Sequence, residues 1–475
     1  MNDKAVSMRG NDVPVTRLGF APYRVMLSMI REIEDKLKEG KSLGFPYLIR
    51  GDISDGQRMG LTPITFLRQV VGLCALPEIA SHVPSDVVQR ARDIIKHCPG
   101  GAIGAIQNQD HPLIQRHIAE HISQRDSVEA RPEDIWATDG VTHGVTTILE
   151  VLKRRHNGTT PGFLTCVPTY MGYFTLLRQY GYHEVCYYLD EDHGWAHNTD
   201  EMQKALDASK SVCVPRCLLL VNPANPPSTV LSMKQLQDII MFAHKNHLII
   251  LADEVFEYNI YDINHPFHSV RKVMNTMSAP YSRTALISFN SLAKGFTVEA
   301  GLRSGYFEAI NLDSVDQAYL EEAMEADRPS MLSQAALDCI VRPPGLGDPS
   351  YELYTKEKTS TLDSLARRAK MAEKRLNAIP GFHCGPVQGS MAAYARITIP
   401  AKAIEEAKRR NKQADVFYAE ELLKAKGISV TPSSAFGRLP GRYHIRITIL
   451  APDDRLMELF DRLEAFHKDF MVKYA

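Results

Sequence analysis

An α/β fold with a mainly parallel central sheet, plus a smaller α+β domain, is predicted by three features of this 475-residue sequence. The first is a strand–helix–strand pattern in the middle of the chain. Residues 211–222 (SVCVPRCLLLVN) contain an apolar run ending at Asn222-Pro223-Ala224-Asn225-Pro226-Pro227, and a second run at 248–252 ends at Asp253-Glu254. Two buried strands joined by a helix over about 40 residues form the right-handed crossover unit of a parallel sheet. The second feature is repetition, because bounded apolar runs recur at 162–167 and 285–289. The third is the breaker cluster Pro343-Pro344-Gly345-Leu346-Gly347-Asp348-Pro349, beyond which the alternation stops.

Each element has a local reason. Thr138-Asp139-Gly140 precedes a helical pattern over 141–153. Ser232-x-x-Gln235 is a capping box, and Leu236, Ile239, Ile240 and Ala243 follow it as a core-facing helical stripe. Beyond the breaker cluster lie a long helix rich in Lys and Arg, a charge-dense stretch at 400–412, and apolar runs at 428–432 and 443–450. Lys408, Arg409, Arg410 and Lys412 read as a solvated helix end. A closing helix puts Leu456, Leu459, Phe460, Leu463 and Phe466 on one face. The expected division is an N-terminal arm and part of the small domain over 1–84, a large α/β domain over 85–343, and the remainder of the small domain over 344–475.

Charge and composition exclude several functions. The 55 Lys and Arg residues balance 56 Asp and Glu, for a net charge of −1. Proteins that bind phosphate backbones or acidic membranes carry a large basic excess, so neither partner is expected. The eight cysteines are scattered, several within apolar runs, and form no C-x-x-C pair; reduced thiols in the cytoplasm are expected. Residues 1–10 lack the apolar core of a secretory signal, and no apolar stretch reaches membrane-spanning length.

Three constellations could carry chemistry. His117-Ile-Ala-Glu120-His121 matches the inverted zinc-protease pattern H-x-x-E-H, but a solvated polar face is the preferred reading and no metal is expected. Ser291-Leu-Ala-Lys294 matches S-x-x-K of serine acyl-enzymes, but neither S-D-N nor K-T-G accompanies it. The third reading uses Lys294 differently. Asn225, Asp253 and Lys294 each follow a predicted strand, and in an open parallel sheet such strand ends converge on one crevice. The trio suits pyridoxal 5′-phosphate: a lysine for the Schiff base, an aspartate for the pyridine nitrogen, an asparagine for the phenolic oxygen. Gly140, Val141 and Thr142 at a helix start, with Ser291 and Arg303, can cradle the phosphate.

Collinear segments then carry a family resemblance. They are Ile49-Arg-Gly-Asp, 59–69 (MGLTPITFLRQ), Tyr188-Leu-Asp-Glu, Asn222-Pro-Ala-Asn-Pro, Leu251-Ala-Asp-Glu-Val, Ser288-Phe-Asn-Ser-Leu-Ala-Lys294-Gly, Pro386-Val-Gln-Gly and Tyr443-His-Ile-Arg446-Ile-Thr-Ile-Leu. From about residue 48 to 470 the chain resembles fold-type I pyridoxal-phosphate aminotransferases of class I/II, in their alanine aminotransferase branch. The resemblance implies that Lys294 forms the internal aldimine and moves the proton between Cα and C4′. It further implies that Asp253 pairs with the pyridine nitrogen, Asn225 with the phenolic oxygen, and that Tyr170 stacks on the ring. Thr142, Ser291 and Arg303 would hold the phosphate, and Arg446 would grip the substrate α-carboxylate. A homodimer is also implied.

The sequence departs from the family at four points. Phe256 stands where a tyrosine usually donates to the phenolic oxygen, which predicts a Schiff base of raised pKa; Tyr258 is a candidate replacement. Ile106 stands where a tyrosine commonly reaches the neighbouring subunit's phosphate. Pro227-Ser228 ends the Asn-Pro motif in place of Thr-Gly, and Ala293 replaces a serine before the lysine. The favoured expectation is transfer of an amino group between an alanine-like L-α-amino acid and a 2-oxo acid. Diversion to elimination, substitution or cyclisation, and a catalytically silent binding protein, are the alternatives.

Overall fold

The computed structural model describes residues 21–105, 111–154, 160–325 and 328–475. At its centre is a seven-stranded sheet in the order Ile135–Thr138, Gly305–Ile310, Leu286–Ser291, Ile249–Asp253, Val214–Val221, Pro161–Val167 and His183–Tyr188. Gly305–Ile310 runs antiparallel to both its neighbours, and the remaining pairs are parallel. The expected crossover is present, with Met233–Lys245 joining two adjacent parallel strands behind the Ser232–Gln235 capping box. Its stripe of Leu236, Ile239, Ile240 and Ala243 is buried in the core beside Leu218 and Ile250. Pro161–Val167 is buried at every position, as expected of a strand covered on both faces.

A second, antiparallel sheet is ordered Thr431–Pro432, His444–Thr448, Ala392–Ile397, Phe382–Cys384. Tyr351–Ala378 and Asp453–Lys473 cover it, and the latter buries Leu456, Leu459, Phe460, Leu463 and Phe466 as its sequence requires. Ile49–Arg50 adds to Ile428–Ser429 in a short parallel pair. Gly51 permits that approach, since a Cβ there would stand 2.9 Å from the Ser429 carbonyl oxygen. The N-terminal arm therefore joins the small sheet's core, but only up to this point. Thr65–Ala75 packs on Ser85–Lys96 and Met331–Val341 in one apolar core with Leu292 and Phe296. The helices on either side of residue 85 thus share one core.

Candidate active site

The carboxyl ends of the parallel strands bring most of the expected residues together. Val221, Asp253 and Phe289 lie in register across three strands, and the Asn222 amide donates to the Asp253 carbonyl at 3.0 Å. Asp253 is buried, and its carboxylate accepts the Tyr173 hydroxyl at 2.5 Å and the Val255 amide at 3.4 Å. Burial pushes the Asp253 carboxyl above its ordinary value, against the Tyr173 and Val255 bonds and the charge of Lys294. Tyr170 sits edge-on to Tyr173, ring centres 5.6 Å apart, within the fields of Arg446, Asp253 and Arg303. Gly172 gives that ring room, because a Cβ there would lie 2.4 Å from Tyr170 Cε1.

Lys294 follows the strand Leu286–Ser291 through a turn, and its Nζ reaches the Ser54 carbonyl at 3.4 Å. Burial and then the Arg446 charge lower its pKa to about 8, against the opposing pull of Asp253 and Asp55. A lysine so tuned supplies a neutral amine near pH 8, the form needed for a nucleophile or base. Arg446 comes from the small sheet. Its guanidinium donates to Asn225 Oδ1 at 3.2 Å and to the Asp52 carbonyl at 3.3 Å, over the Phe436 ring at 4.9 Å.

An anion cradle lies alongside. Thr138, Gly305 and Ser291 are aligned across adjacent strands. Gly305 makes the approach possible: a Cβ would stand 3.2 Å from Gly140 Cα and 3.4 Å from Ser291 Cα. Gly140 has φ +81° and leads into Val141–Arg154, whose first residues are half-buried Val141 and exposed Thr142. Arg303 Nη2 would be 3.1 Å from a Cβ on Gly140. The Arg303 guanidinium donates to the Asp139 and Ala300 carbonyls, and among the described residues no carboxylate pairs with it. Helix-start amides beside a cation without a carboxylate partner suit a phosphate. Ser291 Oγ meanwhile donates to the Ser304 carbonyl at 2.9 Å.

The departures from the family pattern also have places. Phe256 is buried with its ring centre 6.0 Å from Lys294 Nζ, an apolar surface where a tyrosine would offer a hydroxyl. Tyr258 packs edge-on against Phe296 and beside the Lys358 ammonium. Ser228 adopts φ 64°, the left-handed conformation that glycine would favour. Its carbonyl accepts the Gln388 and Gly389 amides, so the Asn-Pro and Pro386-Val-Gln-Gly segments meet there. Ile106 lies outside the described residues.

The H-x-x-E-H segment is only in part the solvated face expected of it, with Arg116, Glu120 and Gln124 exposed but His117 turned inward. His117 is buried, its Nδ1 2.5 Å from Asp338, and Arg342 donates to its Nε2. His121 instead faces Glu257 at 3.6 Å, while Glu120 is exposed. Sequence spacing correctly places both histidines on one helix, but their partners come from elements over 130 residues away. No group of three potential ligands exists among the described residues. The functional contact missed by sequence reasoning is Tyr173 on Asp253, although the Tyr170-x-x-Tyr173 spacing was its visible signal.

A mixed, mainly parallel sheet with a lysine, an aspartate and an anion cradle at its strand ends defines an aminotransferase-type enzyme. The family model for aminotransferase class I and II matches residues 75–463, and the chain belongs to that family. It is 36% identical to "Alanine aminotransferase 2-like" of Danio rerio, over 99% of this chain and 87% of that protein. It is also 36% identical to "Alanine aminotransferase 1" of Homo sapiens, covering 99% of this chain and 96% of that one. A solved alanine aminotransferase from Pyrococcus furiosus shares the fold at TM-score 0.74 and 20% identity, with 96% of this chain and 98% of that chain covered. The protein is therefore an amino-group transferase by family.

Proposed function

We propose that the protein transfers an amino group between L-alanine, or an amino acid of similar size, and a 2-oxo acid, using pyridoxal 5′-phosphate. The carrying observation is Lys294, lowered to about 8 between Arg446 and Asp253 at the end of the parallel strands. The names of the two relatives supply the alanine assignment. When bound, pyridoxal 5′-phosphate supplies an electrophilic carbonyl and an electron sink that acidifies the substrate Cα–H. Gly140, Val141, Thr142, Ser291 and Arg303 hold its phosphate in this reading. Asp253 keeps its carboxylate on the pyridine nitrogen, Tyr170 covers the ring and Asn225 donates to the phenolic oxygen. Arg446 binds the substrate α-carboxylate as a two-pronged donor. Lys294 Nζ takes the proton from Cα and returns it on the other side of the transfer.

The eight free cysteines, seven of them buried, support a reducing, cytoplasmic setting. Among the described residues no helix is long and apolar enough to cross a membrane. A homodimer is the proposed assembly on the family resemblance, and light scattering of the purified chain tests it. Incubation with L-alanine and 2-oxoglutarate tests the reaction. Glutamate and pyruvate in equal amounts are expected. Ammonia release from an amino acid with a β- or γ-leaving group, without glutamate, would instead establish elimination. A chain that binds the cofactor and turns over neither set is a binding protein.

A further inference from the structure

The strand that carries Arg446 is held at its start by a residue from the other sheet. Glu191 lies in a single turn after the edge strand His183–Tyr188, and its side chain, 8% exposed, faces the small sheet. Its Oε1 accepts His444 Nε2 at 2.9 Å, and its Oε2 accepts Arg442 Nη1 at 2.8 Å. A carboxylate can only accept, so His444 carries its proton on Nε2. Burial raises the Glu191 carboxyl, but the His444 and Arg442 bonds outweigh it and hold the group below its ordinary value. Asp192 adds a second bond to Arg442 at 2.6 Å.

From His444 the contact continues to Arg446 through rings. Alternate residues of a strand share a face, so His444 and Arg446 point to the same side. Tyr394 stands directly opposite Arg446 in the neighbouring strand. The Tyr394 and His444 rings lie flat on each other, 4.6 Å apart at 7°. Trp195, from the same turn as Glu191, packs on both at 5.5 and 5.4 Å. Tyr394 then meets Phe436 edge-on at 6.2 Å, and Phe436 carries the Arg446 guanidinium. Beside this joint is a cavity of about 340 Å³ that also borders Glu191, Trp195, Tyr394 and His444. On the flank that faces this open space, the polar bonds that His444 and Arg442 make are those to Glu191 and Asp192, beside the Trp195 ring.

We propose that Glu191 is a positioning residue for substrate carboxylate binding, acting on Arg446 through His444 and Tyr394. The inference rests on the reading of Arg446 as the carboxylate-binding residue. Glu191→Gln keeps the shape but removes the charge and one acceptor. It is expected to raise KM for both the amino acid and the 2-oxo acid about tenfold, since both present the same carboxylate. The fall in kcat should be smaller, about two- to threefold.

The test is a double-mutant cycle in the cofactor-loaded enzyme with Arg446→Lys, read as KM and kcat separately. The expected result is non-additivity: Glu191→Gln adds little to KM once Arg446 is altered. His444→Gln, which keeps an N–H donor but loses the ring, is expected to raise KM likewise and serves if Glu191→Gln does not fold. If Arg446→Lys raises KM while Glu191→Gln and His444→Gln leave it unchanged, the Glu191 proposal fails and the Arg446 reading stands. If Arg446→Lys leaves KM unchanged, the Arg446 reading itself fails, and the proposal with it. Additive effects on KM, or a loss confined to kcat and melting temperature, would show a merely structural role and overturn the proposal.

Discussion

The Tyr173 hydroxyl donates to Asp253 Oδ2 at 2.5 Å across the end of the large sheet. Both groups are buried, so the bond stabilises the ionised carboxylate where solvent does not. Tyr173 thereby opposes the burial that raises the Asp253 carboxyl.

Tyr173→Phe removes this donor while retaining the ring. A hydrogen bond to a charged group contributes about 1.5–3 kcal/mol, roughly a ten- to hundredfold effect. The Asp253 pKa should rise, because the bond lowers it. The acid limb of the kcat profile should accordingly move to higher pH, with weaker cofactor retention on dialysis. A profile superimposable on that of the unaltered enzyme would show that Asp253 does not depend on Tyr173.

How far the sequence reaches is visible in this pair. Asp253 closes the five-residue strand Ile249–Asp253 after four apolar residues, and local pattern suffices to put it at a sheet end. Asn225, Lys294 and Gly140 are legible for the same reason: each comes a few residues after a strand of the large sheet. Tyr173 is 80 residues from Asp253, and Glu191 is 253 from His444. Such partners are chosen by the tertiary approach of the two sheets, which no local period encodes. His117 is the converse case, where a correct helical spacing suggested solvent and the helix instead turned the residue toward Asp338.

Lys294 gives a pH dependence of definite sign. Its folded value of about 8 lies below the ordinary 10.5, so the folded chain sheds this proton earlier than the unfolded one. Stability of the cofactor-free protein should therefore rise with pH from about 8 to 10.5 through this group, and the contribution should vanish in Lys294→Met. Labelling of Lys294 by an amine-selective acylating reagent, followed by peptide mass mapping, should reach half its maximum near pH 8. Asp55→Asn removes a group that raises the value, and should shift the midpoint to lower pH. A midpoint near 10.5 would contradict both statements.

Gly140→Ala tests the anion cradle. The substitution forces a left-handed conformation on a residue with a Cβ, costing about 1–2 kcal/mol. It also sets the new methyl 3.1 Å from Arg303 Nη2, so the guanidinium must move. Affinity for pyridoxal 5′-phosphate, measured by absorbance titration, should fall at least tenfold. Affinity for pyridoxal without its phosphate should change far less, since the cradle is then unused. Equal losses for both would place the phosphate elsewhere.

Asp338 provides the complementary case of a buried charge away from the strand ends. Its Oδ2 accepts Arg90 Nη1 at 3.0 Å, and its Oδ1 lies 2.5 Å from His117 Nδ1. With Asp338 fully buried, Asp338→Ala leaves Arg90 and His117 without their shared acceptor. Removing one partner of a buried ion pair costs about 3–5 kcal/mol, so the melting temperature should fall clearly. The KM values of folded enzyme should remain within twofold, because neither Arg90 nor His117 contacts Lys294, Asp253 or Arg446. Chelator treatment of the unaltered enzyme should leave its activity unchanged, as His117 is committed to Asp338 and Arg342. Loss of activity with a chelator, restored by zinc, would return the H-x-x-E-H segment to consideration as a metal site.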